Sequence, residues 1–137
     1  MNPLRVLRLA MVLAACGCGA AAGPSEFVEG CTGATLSSMT GVTPRITWPE
    51  DCGVAVIAVV PVELNAEFGG SVWAISGDGN NVLRSGVTYG EEPDFARIWV
   101  QPSPLTQGQS YRVELRIESI ISRSAWGSVV ASREFTP

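Results

Sequence analysis

The stretch Ser110-Tyr-Arg-Val-Glu-Leu-Arg-Ile-Glu-Ser119 alternates between apolar and charged side chains. The apolar positions are Tyr111, Val113, Leu115 and Ile117, and the charged positions are Arg112, Glu114, Arg116 and Glu118. Successive side chains of a strand point to opposite faces of its sheet, so this period of two predicts a β-strand with one face in a core. The alternating signs of charge predict that the other face is a solvated surface.

The chain on either side of this stretch, from residue 25 to 137, lacks helical periodicity. Its β-branched and aromatic runs are separated by Gly, Pro, Asn and Asp, which is typical of a sandwich or barrel. We expect strands at 34–39, 45–48, 53–64, 71–76, 82–85, 96–101, 110–119 and 127–135. Pro61 indicates a sheet edge or a bulge in the third of these runs. The predicted fold class is all-β, a two-sheet antiparallel sandwich of about seven strands.

The segment Leu105-Thr-Gln-Gly-Gln-Ser-Tyr111 resembles the start of the sixth strand of fibronectin type III and related immunoglobulin-like domains. In that family a Leu lies six residues before a Tyr whose ring caps the core and whose hydroxyl bonds local backbone. Trp48, which precedes Pro49, is similar to the core Trp of the family's second strand. The resemblance implies an immunoglobulin-like domain over residues 31–137, with structural roles for Trp48, Leu105 and Tyr111.

The first residues of the chain have the composition of an export signal. Arg5 and Arg8 are followed by an apolar stretch that is shorter than the ~20 residues of a membrane-spanning helix. The sequence Leu13-Ala-Ala-Cys16 resembles the lipobox of bacterial lipoproteins. The resemblance implies that residues 1–15 are removed as a signal peptide and that Cys16 is lipidated on its sulfur and its new amino terminus. Several acyl chains would give stable membrane anchoring.

Residues 16–30 are then expected to be a flexible tether that holds the domain in the bacterial cell envelope. Gly17, in place of Asp, implies by the same resemblance transport to an outer membrane, with the domain in the periplasm or at the cell surface. Ordinary secretion stays open as the alternative, with cleavage after Ala20 or Ala22 in a run of small residues.

Export places the domain in an oxidising compartment, so Cys31 and Cys52 are a candidate disulfide. A hairpin that turns at residues 41–42 would set 36 opposite 47 and 31 opposite 52. Two separate buried thiols remain the alternative. Cys18 has no assigned role.

The composition excludes several functions. All 9 basic residues are Arg, and the chain has neither Lys nor His. Nucleophiles activated by His, imidazole metal sites and Schiff-base lysines are therefore impossible. The formal net charge of −4 becomes −6 when the leader takes its two arginines away, which argues against a nucleic-acid partner. We expect no cofactor and no enzymatic activity.

Two kinds of residue remain as weaker candidates for a binding site. Acidic side chains that could attract calcium occur in two loops, at Asp78 and at Glu91, Glu92 and Asp94. Such residues are more often solvated turn residues, and we expect no metal site.

The aromatic candidates are Trp73, Trp99 and Trp126. We expect these side chains to pack in the core or at its rim. Alternation sets Trp99 on the opposite face from Ile98 and Val100, so an exposed Trp99 would be a binding candidate.

The sequence thus predicts a lipid-anchored envelope protein with a non-enzymatic binding or structural module. Its partners would be the membrane, through the N-terminal lipid, and an unidentified envelope protein or glycan. The alternative is an exported module that binds carbohydrate or calcium.

Overall fold

The computed structural model describes residues 30–64, 70–78, 81–118 and 127–137. Within these ranges the chain forms seven strands: β1 Arg45–Ile46, β2 Val56–Pro61, β3 Trp73–Gly77, β4 Val87–Thr88, β5 Ala96–Val100, β6 Tyr111–Ile117 and β7 Ser128–Phe135. The strands pair antiparallel in a five-stranded sheet of order β5-β3-β2-β6-β7 and a two-stranded sheet of β1 and β4. The predicted all-β, two-sheet antiparallel sandwich is confirmed. No helix among the described residues is long and apolar enough to cross a membrane.

Strand β2 lies at the centre of the five-stranded sheet, and all of its residues are buried. Because both of its faces are covered, its sequence is apolar throughout instead of alternating. Ile57, for example, lies opposite Ile75 of β3 and Leu115 of β6.

The prediction that Pro61 marks an edge or a bulge was wrong. Pro61 is the last residue of the central strand and pairs with Tyr111. The neighbouring hydrogen bond runs from Val62 N to Ser110 O at 3.0 Å, which makes the Pro61–Tyr111 pair a non-hydrogen-bonded one. The proline nitrogen therefore faces the β3 side, where pairing ends at Val59 and Trp73, and no ladder bond is lost.

The main core lies between the sheets and contains Trp48, Trp73 and the inward residues of β6. The indole N–H of Trp48 donates to Cys52 O at 3.3 Å. Ser85 Oγ accepts a hydrogen bond from Trp48 N at 2.8 Å and donates one to Trp48 O at 2.7 Å. The strand expected at 82–85 is reduced to an isolated antiparallel bridge between Leu83 and Val54, and β4 follows two residues after Ser85.

Leu105 and Tyr111 are both buried at the start of β6. The Tyr111 hydroxyl accepts a hydrogen bond from Thr106 N at 2.9 Å and donates one to Gln109 Oε1 at 3.1 Å. Gly108, with φ at 79°, supplies the left-handed conformation that this turn requires. The tyrosine hydroxyl thus closes the loop that leads into β6.

Residues 34–39 were expected to form a strand, and they do not. Leu36 and Met39 are nevertheless buried in the core. The segment is held by a hydrogen bond from Ser37 N to Thr47 O at 3.0 Å and by one from Arg133 Nη1 to Leu36 O at 2.8 Å. The side chain of Arg133 thus donates to a carbonyl oxygen that, in a regular strand, would accept a hydrogen bond from the backbone of a neighbouring strand.

The disulfide between Cys31 and Cys52 is confirmed, with the two Cα atoms 4.9 Å apart. Cys31 N donates to Gly53 O at 3.0 Å, and Gly30 forms a parallel bridge with Gly53. The hairpin reasoning therefore found the right pair although the local pairing at the cysteine end is parallel.

Candidate binding surface

Trp99 is the sequence-predicted aromatic that the structure leaves exposed. It lies on β5, an edge strand of the five-stranded sheet, and 58% of its surface is accessible. The register between β3 and β5 shifts here, because Ile75 pairs with Ile98 whereas Ala74 pairs with Val100. Trp99 is thus the additional residue of a β-bulge, a device that redirects a side chain and often lies near functional sites.

The orientation of the Trp99 ring is set by the neighbouring strand. Its indole N–H donates to Ser76 Oγ on β3. Ser76 pairs with Val56, which belongs to the apolar cluster on the face of the sheet turned away from β1 and β4. We call this face the outer face. Trp99 therefore lies over the outer face, with its polar atom satisfied and much of its ring accessible.

Phe95 is a second exposed aromatic, four residues before Trp99. Its accessible fraction is 64%, and its φ of 62° places it in the left-handed region. Asp78 N donates to Phe95 O at 2.7 Å, and Ala96 N donates to Pro93 O at 3.1 Å. These two bonds hold the backbone of Phe95 in a conformation that costs an ordinary residue about 1–2 kcal/mol.

Arg97 lies between the two aromatic residues and pairs with Ser76 across the strands, so it shares the outer face. Its Nε atom is 3.2 Å from Asp78 Oδ1 in an ion pair that is mostly accessible to solvent. We call Phe95, Arg97 and Trp99, with Ser76 and Asp78 beside them, the aromatic stripe. Because Phe95 has a left-handed backbone and Trp99 is the additional residue of the bulge, the segment between them is shorter than the ~13 Å that four residues of regular strand would span.

The sequence analysis identified Trp99 and Asp78 but missed Phe95 and Arg97. A signal was present in Phe95-Ala-Arg-Ile-Trp-Val100, where large or charged residues alternate with aliphatic ones. The other two tryptophan candidates have different outcomes: Trp73 is buried in the core, and Trp126 lies outside the described residues.

The acidic loop residues Glu91, Glu92 and Asp94 are all exposed. Glu91 and Asp94 line an open groove of about 350 Å³ that Phe95 also borders. Asp78, the fourth acid considered, is engaged with Arg97. In the described part of the chain no group of three or more acidic or cysteine side chains is placed to hold a metal ion.

Glu114 changes the interpretation of the outer face of β6, which was expected to be a solvated surface. Its side chain is buried, with Oε1 3.0 Å from Arg112 Nε and Oε2 2.7 Å from Arg116 Nη2. Glu114 lies directly opposite Ala58 of β2, and Ala58 is fully buried. The prediction of a solvated face was therefore wrong at this position, because the central strand is apolar on both faces.

A second open groove, of about 410 Å³, is lined mainly by apolar groups of Val42, Tyr89, Pro102 and Leu105. The Tyr89 hydroxyl donates to Ser103 O at 2.5 Å. Because this bond turns the hydroxyl toward protein backbone, the groove offers few polar groups to a ligand. The aromatic stripe combines exposed rings with polar side chains and is the better candidate for a binding site.

Comparison of the chain with models of protein families, with curated proteins and with solved structures found no match.

Proposed function

We propose that the protein is a lipid-anchored component of the bacterial cell envelope whose sandwich domain is a non-enzymatic binding module. The aromatic stripe is the observation that carries the binding role. Exposed large apolar side chains surrounded by polar ones are typical of interaction sites. Phe95 and Trp99 are both more than half exposed.

Anchoring is supported by the leader and the lipobox cysteine, Cys16. The disulfide between Cys31 and Cys52 fits the oxidising compartment that export implies. Residues 16–30 would serve as the tether, and the outer membrane is the favoured location because Gly17 follows the lipidated cysteine. The non-enzymatic character rests on the absence of His and Lys from the whole sequence.

The experiment compares the wild-type chain with Cys16→Ser in a bacterial host that processes lipoproteins, by membrane fractionation and intact mass. We expect a membrane-bound wild-type species that begins at Cys16 and carries acyl mass. Cys16→Ser should lose the acyl mass and the membrane association. Cys18→Ser is the matched control, because it removes a thiol two residues away and should behave as the wild type. A soluble wild-type species that begins at Ala21 or Gly23 would contradict anchoring and establish ordinary secretion.

A further inference from the structure

The two ends of the disulfide between Cys31 and Cys52 differ in their access to solvent. Cys31 is fully buried in the main core, whereas Cys52 is partly exposed. Cys52 lies on the wall of an open groove of about 300 Å³, together with Thr32 and Asp51. Its Sγ atom is 3.7 Å from Pro49 O, and Pro49 is exposed. A molecule that reaches the disulfide from solvent therefore meets the sulfur of Cys52 first.

This difference in access decides which sulfur a thiol can attack. A disulfide is exchanged when a thiolate attacks one of its sulfurs and the other sulfur leaves with the electron pair of the S–S bond. Attack on Cys31 would require a path through the core, but attack on Cys52 requires only the groove. The products are a mixed disulfide at Cys52 and a Cys31 thiolate, which takes up a proton because its buried site favours the neutral thiol.

The backbone keeps Cys31 beside Cys52 after the bond opens. Cys31 N donates to Gly53 O at 3.0 Å, and Gly30 forms a parallel bridge with Gly53. The turn that carries Cys52 is held separately, because the indole N–H of Trp48 donates to Cys52 O at 3.3 Å. With both segments held, the Cys31 thiolate can attack Cys52 Sγ in the mixed disulfide and expel the thiolate of the partner. The exchange is therefore reversible without unfolding of the domain.

The charge beside Cys52 indicates which thiols are preferred. Glu50 and Asp51 immediately precede Cys52, and both are exposed. Among the described residues that line the groove, Asp51 supplies a carboxylate and none is cationic. The attacking group is itself an anion, so these carboxylates repel a thiol that carries further negative charge and attract one that carries a positive group. Salt would reduce this preference, because the carboxylates lie at the surface.

We propose that Cys52 is a thiol–disulfide exchange site for thiols with positive charge close to their sulfur, and that Cys31 is the resolving cysteine. The same roles apply when a disulfide-bearing partner oxidises the reduced domain. The Cys52 thiolate then attacks the disulfide of the partner, and Cys31 attacks Cys52 Sγ. Two electrons and two protons pass from the two cysteines to the partner, which leaves as a dithiol. This inference goes beyond the proposed binding and anchoring and depends on neither.

The first test identifies the sulfur that is attacked. The chain with Cys16→Ser and Cys18→Ser, in which only Cys31 and Cys52 remain, is treated with cysteamine, quenched with acid and mapped by peptide mass spectrometry. We expect the adduct on Cys52 to exceed that on Cys31 about tenfold. In the same chain, Cys31→Ser and Cys52→Ser each leave one thiol, which is titrated with dithiodipyridine. The Cys52 thiol should react about tenfold faster than the Cys31 thiol in buffer and at a similar rate in urea. Because the mapping starts from the intact disulfide, it does not depend on the folding of the single-cysteine variants.

The second test measures the effect of charge. The rates at which cysteamine and mercaptoacetate open the disulfide are each divided by the rate with a neutral small-molecule disulfide. We expect the corrected rate of cysteamine to be about fivefold that of mercaptoacetate at low salt and the ratio to approach one at high salt. Asp51→Asn should lower the ratio. Glu134→Gln is the matched control, since it removes an exposed carboxylate that lies across β6 from the other end of β2, and it should leave the ratio unchanged.

Three outcomes would overturn the proposal. The first is an adduct that forms mainly on Cys31. The second is a disulfide that cysteamine opens only at urea concentrations that unfold the domain, because the folded state would then seal the bond. The third is a corrected ratio near one at low salt that Asp51→Asn does not change, because the groove would then not select thiols by their charge.

Discussion

Among the residues that the structure describes, Tyr89 has an ionisation that the fold clearly affects. Its ring centroid lies 5.1 Å from that of Trp73 in the core, and its hydroxyl donates to Ser103 O at 2.5 Å. Removal of water from the phenolate, together with repulsion from Tyr111, raises the pKa of Tyr89 from 10.0 to about 12. The folded protein therefore favours the neutral phenol more strongly than the unfolded chain does.

We expect the free energy of unfolding to fall as the pH rises from 10 to about 12. In this interval the unfolded chain releases the Tyr89 proton while the folded chain keeps it, so deprotonation favours unfolding; below pH 10 the stabilisation is complete. The chain has no Lys to titrate in the same range. Urea unfolding at a series of pH values measures the effect, and Tyr89→Phe should flatten the decline. A parallel decline in both proteins would contradict the assignment to Tyr89.

Single residues of the stripe differ in how far the sequence predicts them. The period of two places Trp99 opposite Ile98, as the structure shows, but it was wrong for Val100, because the bulge at Trp99 turns Val100 to the outer face as well. The backbone of Phe95 is held by a local bond from Ala96 N to Pro93 O and by a bond from Asp78 N, and no local pattern contains the second of these. The sequence therefore contains a signal for the Phe95 side chain, in the alternation of residues 95–100, but none for the bond from Asp78 that helps to hold its backbone.

Among the elements, β6 contains a shielded cluster of ion pairs around Glu114 that its own sequence does not predict. Glu114 accepts charged hydrogen bonds from Arg112 and Arg116 within the strand, and all three side chains are largely shielded from water. Because these side chains have little contact with water, each charged hydrogen bond is stronger. For the same reason, removing one partner and leaving a charge unpaired costs more free energy.

We therefore expect Glu114→Gln to lower the free energy of unfolding by about 2 kcal/mol, because two largely buried guanidinium groups would lose their counter-charge. Asp78→Asn removes one carboxylate from the exposed pair with Arg97 and should cost less than about 1 kcal/mol. Urea denaturation of the two variants at moderate salt compares them directly. Equal losses would show that burial of Glu114 does not strengthen its ion pairs.

The reason that β6 was only half predicted lies in β2. The inward positions Tyr111, Val113 and Leu115 are buried as the alternation indicates. The outward positions were assigned to solvent because they are charged. Whether a charged position is solvated depends on the neighbouring strand, and β2 is apolar on both faces. Which strand lies beside β6 is decided by the order of strands in the sheet. The alternation of side chains within β6 does not reveal that order.

At the scale of the whole molecule, the proposed tether and the loop closed by Tyr111 lie at opposite ends of β2. Gly30 pairs with Gly53, just before the strand begins, and Tyr111 pairs with its last residue, Pro61. The disulfide joins Cys31 to the residue that precedes Gly53. A force applied to the tether would therefore be transmitted to the central strand through the disulfide. Residues 32–51, which lie between the two cysteines, would not carry that force.

This connection predicts how a nicked protein behaves. We would insert a site-specific protease sequence between Gly41 and Val42, which are both exposed, and cleave the protein on the membrane to which the proposed lipid would hold it. After cleavage and urea, the part from residue 42 onward should stay with the membrane, since the disulfide still joins it to Cys31. Added reductant should then release it. The same insertion in a variant with Cys31→Ser and Cys52→Ser should be released by urea alone. Release of the nicked wild type without reductant would mean that the tether reaches the central strand only through non-covalent contacts.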